Sequence, residues 1–122
     1  MTFTQLTRRP AESADWTPPV DIAETDDRYV LTADLPGVSP EDIEISLEDN
    51  VLTLAGRRAD IEADGRRRHY AERRTGRFLR RFTLPATING DAIEARSAHG
   101  TLAITVPKRA EVQPRRIEVA AA

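Results

Sequence analysis

Large apolar side chains recur at every second position in five stretches of this chain, and that rhythm constrains the fold more than any other feature. In "YVLTADL" the residues Tyr29, Leu31, Ala33 and Leu35 share one face. "IEISLED" alternates Ile43, Ile45 and Leu47 with Glu44, Ser46 and Glu48, and "VLTLAG" puts Leu52 and Leu54 together. "RFLRRFTLP" aligns Phe78, Phe82 and Leu84, and "GTLAITV" aligns Leu102, Ile104 and Val106. A two-residue period is the signature of a strand with one face in a core. Turn chemistry separates the stretches: "LPGVSPED", Asp49-Asn50, "TINGD" and Gly100. Short alternating strands punctuated in this way predict an all-β, immunoglobulin-like antiparallel sandwich. No long amphipathic helix is expected.

At 122 residues and 39% hydrophobic content, one domain with an ordinary core is expected. The formal net charge of −2 argues against general affinity for nucleic acid or membrane. That average hides a split. Residues 1–56 hold 3 Arg against 12 acids, whereas residues 57–81 hold 10 Arg against 4 acids. A basic middle in an acidic chain invites pairing within or between copies, and it keeps nucleic acid open as a rival partner. The absence of Cys excludes disulfides and thiolate chemistry and suits a reducing compartment. With no apolar run of signal-peptide or membrane-spanning length, the sequence is read as cytoplasmic.

Residues 1–15 are polar and without a period, and they read as a mobile arm. Trp16 and the Pro18-Pro19 pair open the domain, expected to run over 16–108. Residues 57–76, "RRADIEADGRRRHYAERRTG", are too long for an ordinary hairpin loop. Two readings stand: a solvated charged loop, or a functional one in which "RHYAER" makes a short strand for another molecule. Arg80 shares the face of Phe78, Phe82 and Leu84, so it needs a carboxylate partner, an exposed edge or a path to water. Residues 109–122 form a tail that carries Ile117 and Val119, which point the same way when the chain is extended.

Taken in order, "ADLPGVSPEDIEISLEDNVLTLAGRR", "YAERRTGRFLRRFTLP", "IEARSAHGTLAITVPK" and "IEV" resemble the α-crystallin domain of small heat-shock proteins of bacterial and plant type. In that family the last core motif carries Asn-Gly-Val-Leu, where this chain has His99-Gly100-Thr101-Leu102. The tight turn and the inward Leu survive the changes. The resemblance implies that Ile117 and Val119 dock in a groove of a neighbouring subunit. That groove would be lined by Ile43, Ile45 and Leu47 on one strand and by Ile93 and Ala95 on another. It implies that segment 57–76 is a strand-exchange loop for a homodimer, with Tyr70, Glu72 and Arg80 at the interface and Glu72 as partner of Arg80. It also implies client contacts by apolar arm residues, here Phe3, Leu6 and Trp16.

An enzyme reading finds little support. His69 and His99 lie far apart without metal-ligand spacing, and no nucleophile elbow, phosphate loop or dinucleotide fingerprint is present. The rival reading is a nucleic-acid-binding sandwich using the Arg-rich 57–81 segment. The resemblance favours an ATP-independent holdase that binds partly unfolded proteins and keeps them from aggregating. It would need no metal and no cofactor, and its partners would be non-native proteins and copies of itself, as a homodimer or a larger homo-oligomer.

Overall fold

The structure is a computed structural model describing residues 4–5, 14–60, 65 and 67–121. Eight strands run in chain order: β1 (Thr4–Gln5), β2 (Val20–Glu24), β3 (Arg28–Asp34), β4 (Ile43–Glu48), β5 (Val51–Arg58), β6 (Gly76–Thr83), β7 (Glu94–Ala98) and β8 (Thr101–Pro107). They form two four-stranded sheets, ordered β1-β6-β5-β4 and β2-β3-β8-β7. Every pairing within them is antiparallel. Short 3-10 turns occupy Pro40–Asp42, Gly90–Ala92 and Ala110–Val112. The fold is the antiparallel β-sandwich that the alternation predicts.

Register explains the core. Leu31 stands opposite Ile104 and Tyr29 opposite Val106 in one sheet, while Leu52 stands opposite Phe82 in the other. Directly opposed residues point to the same face, so these pairs form two apolar layers that meet between the sheets. All six are buried. Each such side chain removed from water is worth roughly 1.5–3 kcal/mol before ordering costs. The paired registers therefore fix which face of each strand turns inward.

Two hairpins carry the chemistry expected of them. Asp49 and Asn50 have φ of 51° and 63°, and they link Glu48 to Val51 as a two-residue loop. Positive φ at both central residues is what a type I′ turn requires. His99 and Gly100, with φ of 53° and 78°, do the same between Ala98 and Thr101. His99 thus holds a left-handed geometry that few residues other than glycine accept.

Residues 67–75 form no strand in the isolated chain, which both readings of the loop allow, and β2, at the edge of its sheet, has no strand on its outer side among the described residues. Trp16, grouped above with arm residues free to meet clients, is instead 6% exposed and belongs to the core. Its ring centroid lies 5.2 Å from that of Phe78, and its indole N–H donates to Gly76 O at 3.0 Å. A large aromatic with a satisfied polar edge is a natural core lid. Phe3 and Leu6 lie outside the described residues.

Gly56 shows how closely β5 is packed by its neighbours β4 and β6 in the same sheet. A Cβ there would overlap the carbonyl oxygen of Asp42 and come within 2.5 Å of the Phe78 ring. Gly56→Ala should lower stability by about 1–3 kcal/mol through overpacking. Urea unfolding checks this, and an unchanged midpoint would contradict it.

Candidate functional site

The two sheets do not cover each other at one side. β4 and β7 are the terminal strands of their sheets. Along β4, Ile43, Ile45 and Leu47 turn inward and are only half-buried, although they pack against the core. Along β7, Ala95 stands opposite inward-facing Ile104 and Ser97 opposite Leu102, so both must face inward. Yet both are exposed. The inner face of β7 therefore lacks a cover, and an apolar edge stays open.

The 3-10 turn at Gly90–Ala92 closes one end of this edge. Asn89 caps it, its side-chain oxygen accepting from Asp91 N at 3.2 Å. Gly90 lies against β4, where an added Cβ would sit 2.7 Å from Leu47 Cδ2. Ile93, half-buried on the same core, follows at the entry to β7. Ile43, Ile45, Leu47 and Ile93 thus share one apolar margin, with Ala95 exposed beside it.

The tail begins from a fixed root. Lys108 N donates to Asp27 O and Arg109 N to Thr87 O, each at 2.8 Å. Lys108 Nζ lies 2.7 Å from Glu24 Oε2 and 5.1 Å from the centroid of the Tyr29 ring. The hydrogen bond from Lys108 holds the Glu24 carboxyl below its ordinary value, and the same bond raises Lys108. A lowered carboxylate stabilises above its unfolded pKa and loses that contribution as the pH falls through the folded one. The raised amine loses its contribution only as the pH rises through its own, so the pair persists across neutral pH. Past this root, Ile117 is 83% and Val119 95% exposed.

At the opposite side, Arg80 occupies the inner register of β6, opposite Leu54. Its guanidinium leaves the apolar layer by donating to Pro18 O at 2.7 Å and lying 5.0 Å from the Phe82 ring centroid. Burial lowers its pKa. Within the chain this contact is with a backbone carbonyl, not with Glu72. Tyr70, 86% exposed, and Glu72 line a cavity of about 520 Å³ together with Arg58, Arg68 and Arg73, away from Arg80.

Arg58 is the residue that sequence reasoning missed. Only 8% exposed, it stacks 4.0 Å from the Trp16 ring centroid. Its Nε donates to Arg74 O at 2.8 Å, Nη2 reaches the same oxygen, and Nη1 donates to Pro36 O at 3.1 Å. Desolvation, then the nearby Arg73, lowers its pKa. One guanidinium joins the segment before β2, the turn after β3 and the return into β6. The available signal was parity, since residue 58 continues the inward series of Leu52 and Leu54.

No helix among the described residues is long and apolar enough to cross a membrane. A two-sheet sandwich with one uncovered edge and a detached apolar tail has the architecture of an α-crystallin domain. The profile of the Hsp20/alpha crystallin family matches residues 21–120, and the chain belongs to that family. It is 43% identical over 104 residues to Spore protein SP21 of Stigmatella aurantiaca, covering 84% of this chain and 62% of that protein. It is 43% identical over 103 residues to Small heat shock protein C2 of Rickettsia felis, covering 84% of this chain and 67% of that protein. Plant relatives include the 17.3 kDa class II heat shock protein of Solanum peruvianum, 39% identical over 100 residues, which cover 80% of this chain and 64% of that protein. The chain thus spans 62–67% of the length of these curated relatives. Among solved structures it matches a small heat-shock protein from Xylella fastidiosa with a TM-score of 0.76 and 43% identity, covering 88% of this chain and 100% of that one. The crystal structure of that protein reveals a distinct high order structure.

Arg58→Ala should red-shift the fluorescence of Trp16, the only tryptophan, and lower stability by about 2–3 kcal/mol as buried carbonyls lose their donor. Arg58→Lys should recover only part of both effects, because an ammonium cannot stack and fork together. Emission spectra and urea unfolding of the two variants provide the check.

Proposed function

We propose that this protein is an ATP-independent holdase of the cytoplasm, which covers apolar segments of partly unfolded proteins and so prevents their aggregation. The observation that carries the reading is the uncovered β4/β7 edge, found together with an exposed Ile-x-Val tail in a member of a chaperone family. Non-native chains expose apolar runs and unpaired strand edges. A sandwich with an open apolar edge offers surface of the same kind. Such binding needs no reaction, so no catalytic residue and no cofactor is assigned.

Self-assembly belongs to the same proposal. Ile117 and Val119 enter the edge lined by Ile43, Ile45, Leu47, Ile93 and Ala95, while Glu118 stays in water. Two such side chains contribute roughly 1.5–3 kcal/mol each, less the cost of ordering the tail. Single contacts are then weak and reversible, and several in one assembly hold it together. The outer edge of β2 lacks a neighbouring strand among the described residues, which suits pairing with the 57–76 segment of a second copy. Tyr70, Glu72 and Arg80 are assigned to that contact, and Phe3 and Leu6 to clients.

A several-fold molar excess should suppress heat- or reductant-induced aggregation of a model client without ATP, read by light scattering. Absence of protection would end the holdase reading. Ile117→Ala combined with Val119→Ala should reduce the assembly to a smaller species by native mass spectrometry, with the domain's unfolding midpoint unchanged.

A further inference from the structure

The open edge lies inside a frame of negative charge. Segments 39–50 and 89–98, which border it, hold seven carboxylates and a single cation, Arg96. Glu44 and Glu48 stand on the outward face of β4, with Glu41 and Asp42 in the turn before it. Asp91 and Glu94 stand on the other side. All are exposed, and among the described residues none of them is held in an ion pair.

The tail has the opposite sign where it matters. Arg115 and Arg116 immediately precede Ile117. In an extended segment Ile117 and Val119 are about 7 Å apart, whereas Ile43 and Leu47 are separated by about 13 Å along β4. An inserted Ile-x-Val pair therefore leaves Arg115 and Arg116 within the length of the acidic frame. Arg115 follows the line of the apolar pair, and Arg116 points aside. Both arginines are exposed in the isolated chain, as are Ile117 and Val119, so the tail does not occupy its own edge.

We propose that the acidic frame around the β4/β7 edge selects the tail of a second copy by charge, with Arg115 and Arg116 as the specificity-determining residues. The inference rests on the docking reading above and adds to it what decides between tails. Apolar pockets accept any β-branched pair, and the frame rejects one flanked by acids. Rim charges act chiefly on encounter and partner choice, and salt screens them.

The test uses full chains with exposed substitutions. A tail-reversed form carries Arg115→Glu with Arg116→Glu, and a frame-reversed form carries Glu44→Lys, Glu48→Lys, Asp91→Lys and Glu94→Lys, which leaves three acids against five cations and so reverses the sign of the frame. Each alone should self-associate roughly tenfold more weakly than the parent at low salt. Mixed in equal amounts they should co-assemble, because each tail then meets a frame of opposite sign. At an ionic strength of about 1 M, where screening acts within about 3 Å, the differences should shrink. Native mass spectrometry reads the species, and circular dichroism confirms that each form is folded. Ile117→Ala with Val119→Ala separates the two readings. If that variant falls apart while both charge-reversed forms assemble like the parent, docking stands and charge selection is wrong. If folded reversed forms are weakened alone yet fail to co-assemble, selection between copies is overturned. If the alanine variant assembles normally, docking fails and takes the frame with it.

Discussion

Two pleated sheets can cover only as much of each other's inner face as they overlap, and the terminal strands must be covered by something else. This chain solves that problem at one side and leaves it unsolved at the other. At the β6 side a segment of irregular backbone lies across the sandwich. Asp15 N donates to Arg77 O, Trp16 fills the gap against Phe78, and Pro18 presents its carbonyl to Arg80. At the β4/β7 side the 3-10 turn at Gly90–Ala92 approaches, touching Leu47 at one end. The asymmetry between these sides produces a stable core and an unfilled apolar margin in one small domain.

The closed side is built around two cations. Arg58 and Arg80 both occupy inner registers, where an aliphatic residue would be the simpler choice. Each leaves the apolar layer by a short route, with its guanidinium over an aromatic ring and its N–H groups on backbone carbonyls. The acceptors belong to segments with no sheet ladder of their own at those points: Pro18, Pro36 and Arg74. These three carbonyls lie outside the strand ladders, and a side-chain donor fastens the backbone there through its oxygen. Arginine suits the task because one planar fork reaches two carbonyls at once. Burial lowers the pKa of both groups, and the charge is retained because an unperturbed guanidinium titrates far above neutrality.

Alternation made the strands legible, because in β3, β5 and β8 an inner face of large apolar residues sits opposite polar or small ones. Asp49-Asn50 and His99-Gly100 were readable as turns because few other pairs accept positive φ. Trp16 was not readable as core, since polar residues and prolines surround it and its partners Phe78 and Arg58 are distant in sequence. Arg58 was passed over because it opens a long polar run, although its parity with Leu52 and Leu54 points inward. Ala95 marks the other limit. A small residue on a weak strand reads the same whether its face is covered or bare, and only the pairing with Ile104 reveals that its inner face is empty. Segment 67–75 forms no strand within one chain, and no strand pairs with the outer edge of β2 among the described residues.

An uncovered margin of this kind is tolerable only if whatever fills it can leave again. A core strand would close the edge permanently, at the cost of any exchange. A tail carrying two β-branched residues on an otherwise polar segment gains enough to dwell and too little to stay, since ordering an extended peptide offsets much of the burial. Repetition of weak contacts across copies then sets the stability of an assembly, and the number of copies, more than any one interface, decides how firmly it holds. In the proposed docking, charge around the margin enters at a different stage. It alters how often the right tail arrives and which tails are refused, and the apolar pair alone sets how long an arrival lasts. In the proposed docking, keeping those two roles on separate residues, Arg115 and Arg116 for the first and Ile117 and Val119 for the second, lets partner choice change without changing how long the edge stays filled.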